Sequence, residues 1–158
     1  MMLVKYPFFY KIVVQIGRMI KHEGLFIYNQ LEQRITDSNG DNTSTIKHCK
    51  QFVVRTLINL ELLSNPKSGA YQLRKSIVIN HDNVIAWLAQ VSVRAQENSS
   101  KSMPAIINDP VWFPLDINLN ENILSSNIRL DIHHQANDSA IFYKRKTKLN
   151  LVTNFVYY

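Results

Sequence analysis

One short turn, Pro66-Lys67-Ser68-Gly69, limits the fold of this chain more than any other feature. It separates two β-prone runs, "ELLSN" and "AYQLRKSIVI". Proline and glycine set the backbone angles that tight turns need, so this pattern predicts a β-hairpin with its tip at residues 67–69. Helical patterns precede and follow the hairpin. The sequence therefore predicts an α+β fold in which a helical domain carries one hairpin.

The helical patterns come from apolar residues that recur every three or four positions. The first runs from Pro7 to His22, where proline suits the first turn and Gly24 suits the C-terminal stop. A β-prone run, Leu25 to Tyr28, leads into a short helix that begins at Asn29 and turns Leu31 and Ile35 inward. The segment "TDSNGDNTST" that follows is rich in turn formers and predicts a loop.

Two longer helices complete this part of the prediction. One begins between Thr43 and Thr45, and we expect its inner positions to be Ile46, Cys49, Val53, Leu57 and Leu60. Phe52, Val54 and Ile58 are ambiguous in this pattern, and Cys49 is expected to act as a small buried hydrophobe. A last helix covers Asn83 to about Gln96, with inner positions Val84, Ile85, Leu88, Val91 and Ala95.

The composition and the secondary-structure pattern of the sequence change after residue 96. Residues 97–104, "ENSSKSMP", are polar and serine-rich and predict a linker. Residues 105–158 predict a small β-rich extension, mostly strand from 111 onward, because short β-prone runs alternate with Asn- and Ser-rich turns. Because a few short strands by themselves form only a marginal hydrophobic core, we expect the extension to pack on the first domain or on a twin subunit.

The positive charge is concentrated in one stretch. The net charge is +6, and residues 43–76 contain six basic side chains against one acid, a net of +5 in 34 residues. A basic patch of this kind attracts polyanions, because each neutralised phosphate releases condensed counterions. The alternative interpretation is a solvated basic face without a partner.

Composition excludes several other classes of protein. The chain of 158 residues is 46% hydrophobic and 19% charged, so it can bury a core and is not disordered throughout. A single cysteine excludes an internal disulfide framework. Because Lys5, Lys11, Gln15 and Arg18 interrupt the N-terminal apolar residues, we expect neither a secretory signal nor a membrane span, and we expect a cytoplasmic protein.

The order of predicted elements is helix, short strand, short helix, loop, longer helix, hairpin and helix. This order resembles the winged helix-turn-helix superfamily over about residues 5–96, within a predicted first domain of residues 1–96, and the best-matching stretch is "GLFIYNQLEQRI…TSTIKHCKQFVVRTLINLELLSNPKSGAYQLRK". The loop between the second and third helices is longer than in a tight helix-turn-helix. The resemblance implies a DNA-binding protein, a regulator or accessory factor, with its third helix in the major groove of double-stranded DNA.

The same resemblance implies which residues meet the DNA. The third helix would supply the residues that meet base edges and phosphates: Thr45, Lys47, His48, Lys50, Gln51 and Arg55. The hairpin would supply phosphate contacts through Lys67 at its tip and through Arg74 and Lys75 on its return strand. Gln pairs with adenine, and Arg or Lys with guanine. The alternative is that these residues only solubilise an amphipathic helix.

Two other functions fit the pattern. A winged helix also acts as a protein-docking subunit, as in SMC-like ATPase complexes and some bacterial defence systems. Tyr28, Phe52, Val54 and the extension would then form an apolar contact surface, and the extension could also support a homodimer. The basic face could instead bind RNA.

Catalysis and metal binding have little support in the sequence. We find no Gly-rich phosphate loop, H-E-x-x-H or G-x-S-x-G pattern, so we expect no enzyme activity and no cofactor. His133 and His134, with Asp131 and Asp138 nearby, are the only suggestion of a metal site. Adjacent residues on a strand point to opposite faces, so this pair makes a poor chelate.

Overall fold

A computed structural model of the chain describes residues 2–39, 44–95, 100–125, 130–134 and 140–144. The elements of the first part are α1 (Met2–Lys5), α2 (Pro7–Glu23), β1 (Leu25–Ile27), α3 (Tyr28–Asn39), α4 (Ser44–Asn59), β2 (Leu63–Lys67), β3 (Ala70–Leu73), β4 (Ile77–Ile79) and α5 (Asp82–Arg94). They are followed by β5 (Ser100–Ser102), α6 (Met103–Ile107), a 3₁₀ turn (Pro110–Trp112), β6 (Leu115–Ile117), α7 (Glu121–Ser125), β7 (Leu130–His134) and β8 (Ala140–Lys144). The predicted α+β class is confirmed.

The long helix α2 forms where the sequence predicts it. Proline occupies its first turn, and Gly24 ends it at φ 74°, a left-handed conformation that favours glycine. The Gly24 N–H donates to the Ile20 carbonyl at 2.9 Å, so the helix end is capped. Gly17 lies where α2 meets the 3₁₀ turn, and a Cβ there would overlap the Pro110 carbonyl oxygen. A close backbone contact thus joins α2 to the C-terminal part.

The hairpin is also confirmed, and it belongs to a small sheet. β3 lies between β1 and β2 in an antiparallel sheet of order β1-β3-β2. The register aligns Phe26 with Tyr71, and their rings stack with centroids 5.1 Å apart. Gly69 sits at the tip with φ 75°, and its carbonyl accepts a hydrogen bond from the N–H of Tyr28 at 2.8 Å. The tip is therefore fixed against the start of α3.

Several local predictions are wrong. α3 continues to Asn39 and so includes residues 36–39, which the sequence assigns to a loop. Leu60 is 62% exposed, because α4 ends at Asn59 and Leu60 lies in the turn that follows. Val84 is exposed in the first turn of α5. β4 does not continue the hairpin: residues 74–76 belong to no strand, and β4 pairs in parallel with β6, which lies much further along the chain.

The C-terminal part differs from the predicted linker and extension. Residues 100–104 form β5 and begin α6 instead of an irregular linker. β5, β8 and β7 form an antiparallel sheet of that order. The described residues beyond 105 also include α7 and the 3₁₀ turn, so the extension is only partly strand. The serine-rich composition suggested a linker, but cross-strand hydrogen bonds to β8 override that local tendency.

Two hydrophobic clusters hold the fold together. The first joins α2, α3, α4 and the hairpin sheet through residues such as Ile16, Phe26 and Val53. Val111 and Trp112 pack into the same cluster, so the C-terminal part packs on the first part as expected. The second cluster joins α5 to α6, α7, β7 and β8. Because α5 contributes Leu88 to the first cluster and Ile85, Ala89 and Val93 to the second, the two clusters do not separate at residues 97–104.

No helix in the described part of the chain is long and apolar enough to cross a membrane.

Candidate nucleic-acid interface

The outer face of α4 has cationic and polar side chains around one exposed apolar residue, Phe52, and is free of acidic residues. Its sequence, "STIKHCKQFVVRTLIN", contains no Asp or Glu. Lys47, Gln51 and Arg55 are exposed and follow one another at intervals of four residues, so they lie along one line of the helix. His48 is exposed beside them, as predicted. Thr45 lies in the first turn of α4, and its side chain is outside the described residues.

The prediction that Lys50 contacts DNA is wrong, because Lys50 is buried. Its side chain is 0% exposed, and its Nζ lies 3.0 Å from Oε1 of Glu32 on α3. Among the described side chains of α4, which do not include Ile46, the buried apolar positions are Val53, Val54 and Leu57, and Lys50 completes their i, i+3, i+4, i+7 pattern. The inner stripe is thus rotated relative to the predicted one. An ammonium at such a position needs a partner, which Glu32 supplies, so Lys50 is not available to contact DNA.

The hairpin exposes its basic residues at its tip and just after its return strand. Lys67, the last residue of β2, is exposed at the tip as predicted. Arg74 and Lys75 are exposed too, but β3 ends at Leu73, so they follow the return strand instead of lying on it. Arg74 forms an ion pair with Glu61 at 3.4 Å, and both groups are exposed. This pair partly offsets the charge of Arg74, whereas its contribution to stability is small.

Two grooves border α4. One, of about 560 Å³, lies between α4 and the start of α2, where Tyr6, Phe8 and Phe9 face Cys49 and Phe52. The other, of about 750 Å³, has walls from Tyr28 and Tyr71 and includes Gln51, Phe52, Arg55 and Asn59 from α4. The first groove is almost entirely apolar, and the second is mixed. Cys49 is half-buried against the first hydrophobic cluster, so its predicted burial is only partial.

The residues suggested for protein docking differ in how far the structure exposes them. Phe52 is 58% exposed and lines both grooves. Val54 is packed in the first cluster and only 4% exposed, so it adds little surface to the mixed groove that it lines. Tyr28 is half-buried at the wall of the mixed groove. Burial, with smaller effects from Glu32 and Tyr71, raises the pKa of the Tyr28 hydroxyl, so it stays protonated at neutral pH.

A buried polar network lies at a place where no feature of the sequence predicts one. Lys101 Nζ contacts the Oδ2 of Asp109 and lies 2.7 Å from the Ser92 Oγ. Ser92 Oγ donates to the same Asp109 oxygen at 2.5 Å, and the Tyr10 hydroxyl lies 3.4 Å from it. The Lys101 and Asp109 side chains are 5% and 2% exposed. The network joins α2, α5, β5 and the 3₁₀ turn, so its evident effect is to hold these elements together.

Only one residue of this network, Asp109, could have been predicted from the sequence. Asp109 precedes Pro110, and its Oδ1 accepts from the Val111 N–H at 3.1 Å, the behaviour of a capping residue that "NDPVW" suggests. Lys101 lies in the stretch read as a linker, where nothing in the sequence indicates burial.

The predicted histidine pair lies on β7. His133 and His134 are both exposed on β7, and Asp131 is half-buried on the same strand. Asp138 lies outside the described residues. In the ranges that the structure describes, no group of three or more His, Cys, Asp or Glu side chains is placed to hold a metal ion.

Comparison with known proteins adds no relative. A scan against protein-family models, a search of curated proteins and a search of solved structures each return no match.

Proposed function

We propose that this chain is a winged-helix protein that binds double-stranded DNA, with α4 in the major groove and the hairpin tip on the phosphate backbone. The single observation that carries the proposal is the exposed, acid-free face of α4, beside a hairpin that ends in Lys67. A regulator or an accessory factor of a DNA transaction fits such a surface.

The arrangement of elements supports this function. α2, β1, α3, α4 and the β2–β3 hairpin follow one another in the order that the winged-helix resemblance requires. β1 completes the hairpin sheet by pairing with β3, which holds the tip close to the start of α3. The first hydrophobic cluster fixes α4 through Val53 and Leu57, so its opposite face is presented rigidly to a partner.

Dimensions and charge also fit a duplex. Lys47 and Arg55 are eight residues apart, which is about 12 Å along a helix and matches about three to four base-pair steps at 3.4 Å each. An α-helix fits the major groove of B-DNA, where Gln51 can pair with adenine and Arg55 with guanine. Lys67 and Lys75 are exposed on or near the hairpin and can reach phosphates. The deep, narrow major groove of A-form RNA would exclude α4.

The test is a salt titration of duplex binding. We expect the double change Lys47→Ala with Arg55→Ala to weaken binding strongly, and to reduce the log–log salt slope by about 0.9 for each phosphate that the protein no longer neutralises. Changing Lys67→Ala should weaken all sequences about equally, because a phosphate carries no base identity. Fluorescence anisotropy with duplex DNA at several salt concentrations measures both effects.

A control with the same change in charge is available on α2. Arg18 and Lys21 are exposed and line neither groove beside α4. The double change Arg18→Ala with Lys21→Ala should leave the slope nearly unchanged. If both double variants reduce the slope equally, the interaction is non-specific charge attraction. If the parent protein does not bind duplex DNA at low salt, the proposal is wrong.

A second function, a protein-docking subunit of a larger complex, is favoured by one observation. The apolar groove between α2 and α4 contains Tyr6, Phe8, Phe9 and the exposed Phe52. Concave apolar surfaces of this size commonly bind partners or ligands. Absence of DNA binding at low salt, together with loss of a co-purifying partner in the Phe52→Ala variant, would favour this function over the first.

A further inference from the structure

Phe52 occupies an unusual place for a large apolar side chain. It lies at the middle of α4, next to Gln51 and one turn before Arg55 and Thr56. More than half of its surface is exposed, whereas phenylalanine is among the residue types most often buried. It is not an isolated surface residue, because it forms the ridge between the two grooves. A partner of α4 would therefore meet the ring directly.

The charge around Phe52 indicates the kind of partner. α4 carries no acid, and its exposed cations Lys47 and Arg55 lie on either side of the ring along the helix. A polyanion complements this face. The partner must also offer an apolar group to the ring, and in the major groove of DNA that group is the 5-methyl of thymine.

We infer that Phe52 contacts the 5-methyl group of thymine and that α4 consequently prefers A·T-rich duplexes. This inference rests on the proposed function, that α4 enters the major groove. Two neighbours on the same face favour the same base pair. Gln51 and Asn59 are exposed amides in the mixed groove, and amide side chains pair with the N6 and N7 of adenine.

The experiment compares two duplexes that differ only in methyl groups. One is a short duplex of alternating dA and dT, and the other contains deoxyuridine in place of every thymidine. Removing one contacted methyl should weaken binding of the parent protein about three- to fourfold. The Phe52→Ala variant should bind the thymine duplex more weakly than the parent does, and should bind the two duplexes equally. This forms a double-mutant cycle between the Phe52 side chain and the thymine methyl groups of the duplex.

Leu60→Ala is the matched control. Leu60 is also a largely exposed apolar residue, but it follows the end of α4 and lines neither groove. Its variant should keep the full preference for thymine. Because Phe52 and Leu60 are both exposed, neither change opens a cavity, and thermal unfolding should verify that both variants remain folded.

The outcomes distinguish this inference from the proposed function. If the parent binds both duplexes equally, or if Phe52→Ala keeps the thymine preference, the inference is wrong while duplex binding stands. If the parent binds neither duplex at low salt, the proposed function itself is wrong. Unchanged DNA binding in Phe52→Ala would show that the ring does not contact DNA, and would favour a role for Phe52 in protein docking at the apolar groove.

Discussion

Among the residues that the structure describes, two lysines in two regions of the molecule are buried, and they are buried in different ways. Lys50, at the contact between α3 and α4, meets the carboxylate of Glu32, which is itself 30% exposed. Lys101, at the junction of α2, α5 and β5, pairs with the enclosed carboxylate of Asp109. The same carboxylate accepts hydrogen bonds from the hydroxyls of Ser92 and Tyr10. The first pair is open to water at one end, and the second is closed and hydrogen-bonded on several sides.

The difference determines what each pair can do. A closed pair leaves an uncompensated charge in a medium of low polarity when one partner is removed, so breaking it is costly. An open pair leaves a carboxylate that water can solvate again. The closed pair therefore fixes how the C-terminal part sits on α2, and the open pair orients α4 on α3 at a smaller cost. Variants at each pair test this contrast.

The largest effect is expected at the closed pair. Asp109→Ala leaves Lys101 and Ser92 without their shared acceptor, and should lower the free energy of unfolding by about 3–5 kcal/mol. Urea denaturation measures this. The double variant Lys101→Met with Asp109→Ala removes the uncompensated charge and should recover part of the loss.

The surface pair supplies a control for the first prediction. Glu61→Ala removes the acid that pairs with the exposed Arg74 and should change stability by no more than about 0.5 kcal/mol. If Asp109→Ala costs as little as Glu61→Ala, the junction is not held by its buried network.

A smaller effect is expected at the open pair. Lys50→Met keeps most of the buried stem and leaves Glu32 to be hydrated, so we expect a loss of about 1 kcal/mol. Because Lys50 is buried, this variant should keep the salt slope of DNA binding, in contrast to Lys47→Ala. A reduced slope in Lys50→Met would mean that the ammonium reaches phosphate, which its burial contradicts.

The smallest effect concerns the pH dependence of stability at Tyr28, a half-buried neighbour of the open pair whose pKa is raised mainly by burial and less by Glu32. Burial, followed by the charges of Glu32 and Tyr71, holds the pKa of Tyr28 above its unfolded value near 10. The stability that depends on the neutral hydroxyl is thus fully present below about pH 10 and is lost as the pH rises through the folded pKa.

Urea midpoints measured on both sides of about pH 10 test this prediction. The parent should lose slightly more stability with rising pH than Tyr28→Phe does, since the difference between them isolates this hydroxyl from the other tyrosines. Identical alkaline losses in the two proteins would show that Tyr28 titrates no differently in the folded state.

The sequence by itself determined the local elements of the first part. Proline and glycine at the ends of α2, and the Pro66–Gly69 turn, act through backbone angles that a few neighbouring residues set, so α2 and the hairpin could be predicted. The exposed site residues on α4 and at the hairpin tip also follow from local periodicity. For the same reason Lys47, Gln51, Arg55 and Lys67 were placed at the surface correctly.

Only the tertiary structure decided where the inner face of α4 lies and how the C-terminal part is attached. The local pattern predicts that Lys50 points outward, whereas in the structure Lys50 is paired with Glu32 on α3, which lies 18 residues away in sequence. Lys101 reads as part of a linker until β8 pairs with β5 and Asp109 and Ser92 enclose its ammonium. Burial of a charge depends on groups that other elements bring to it, and no local pattern contains that information.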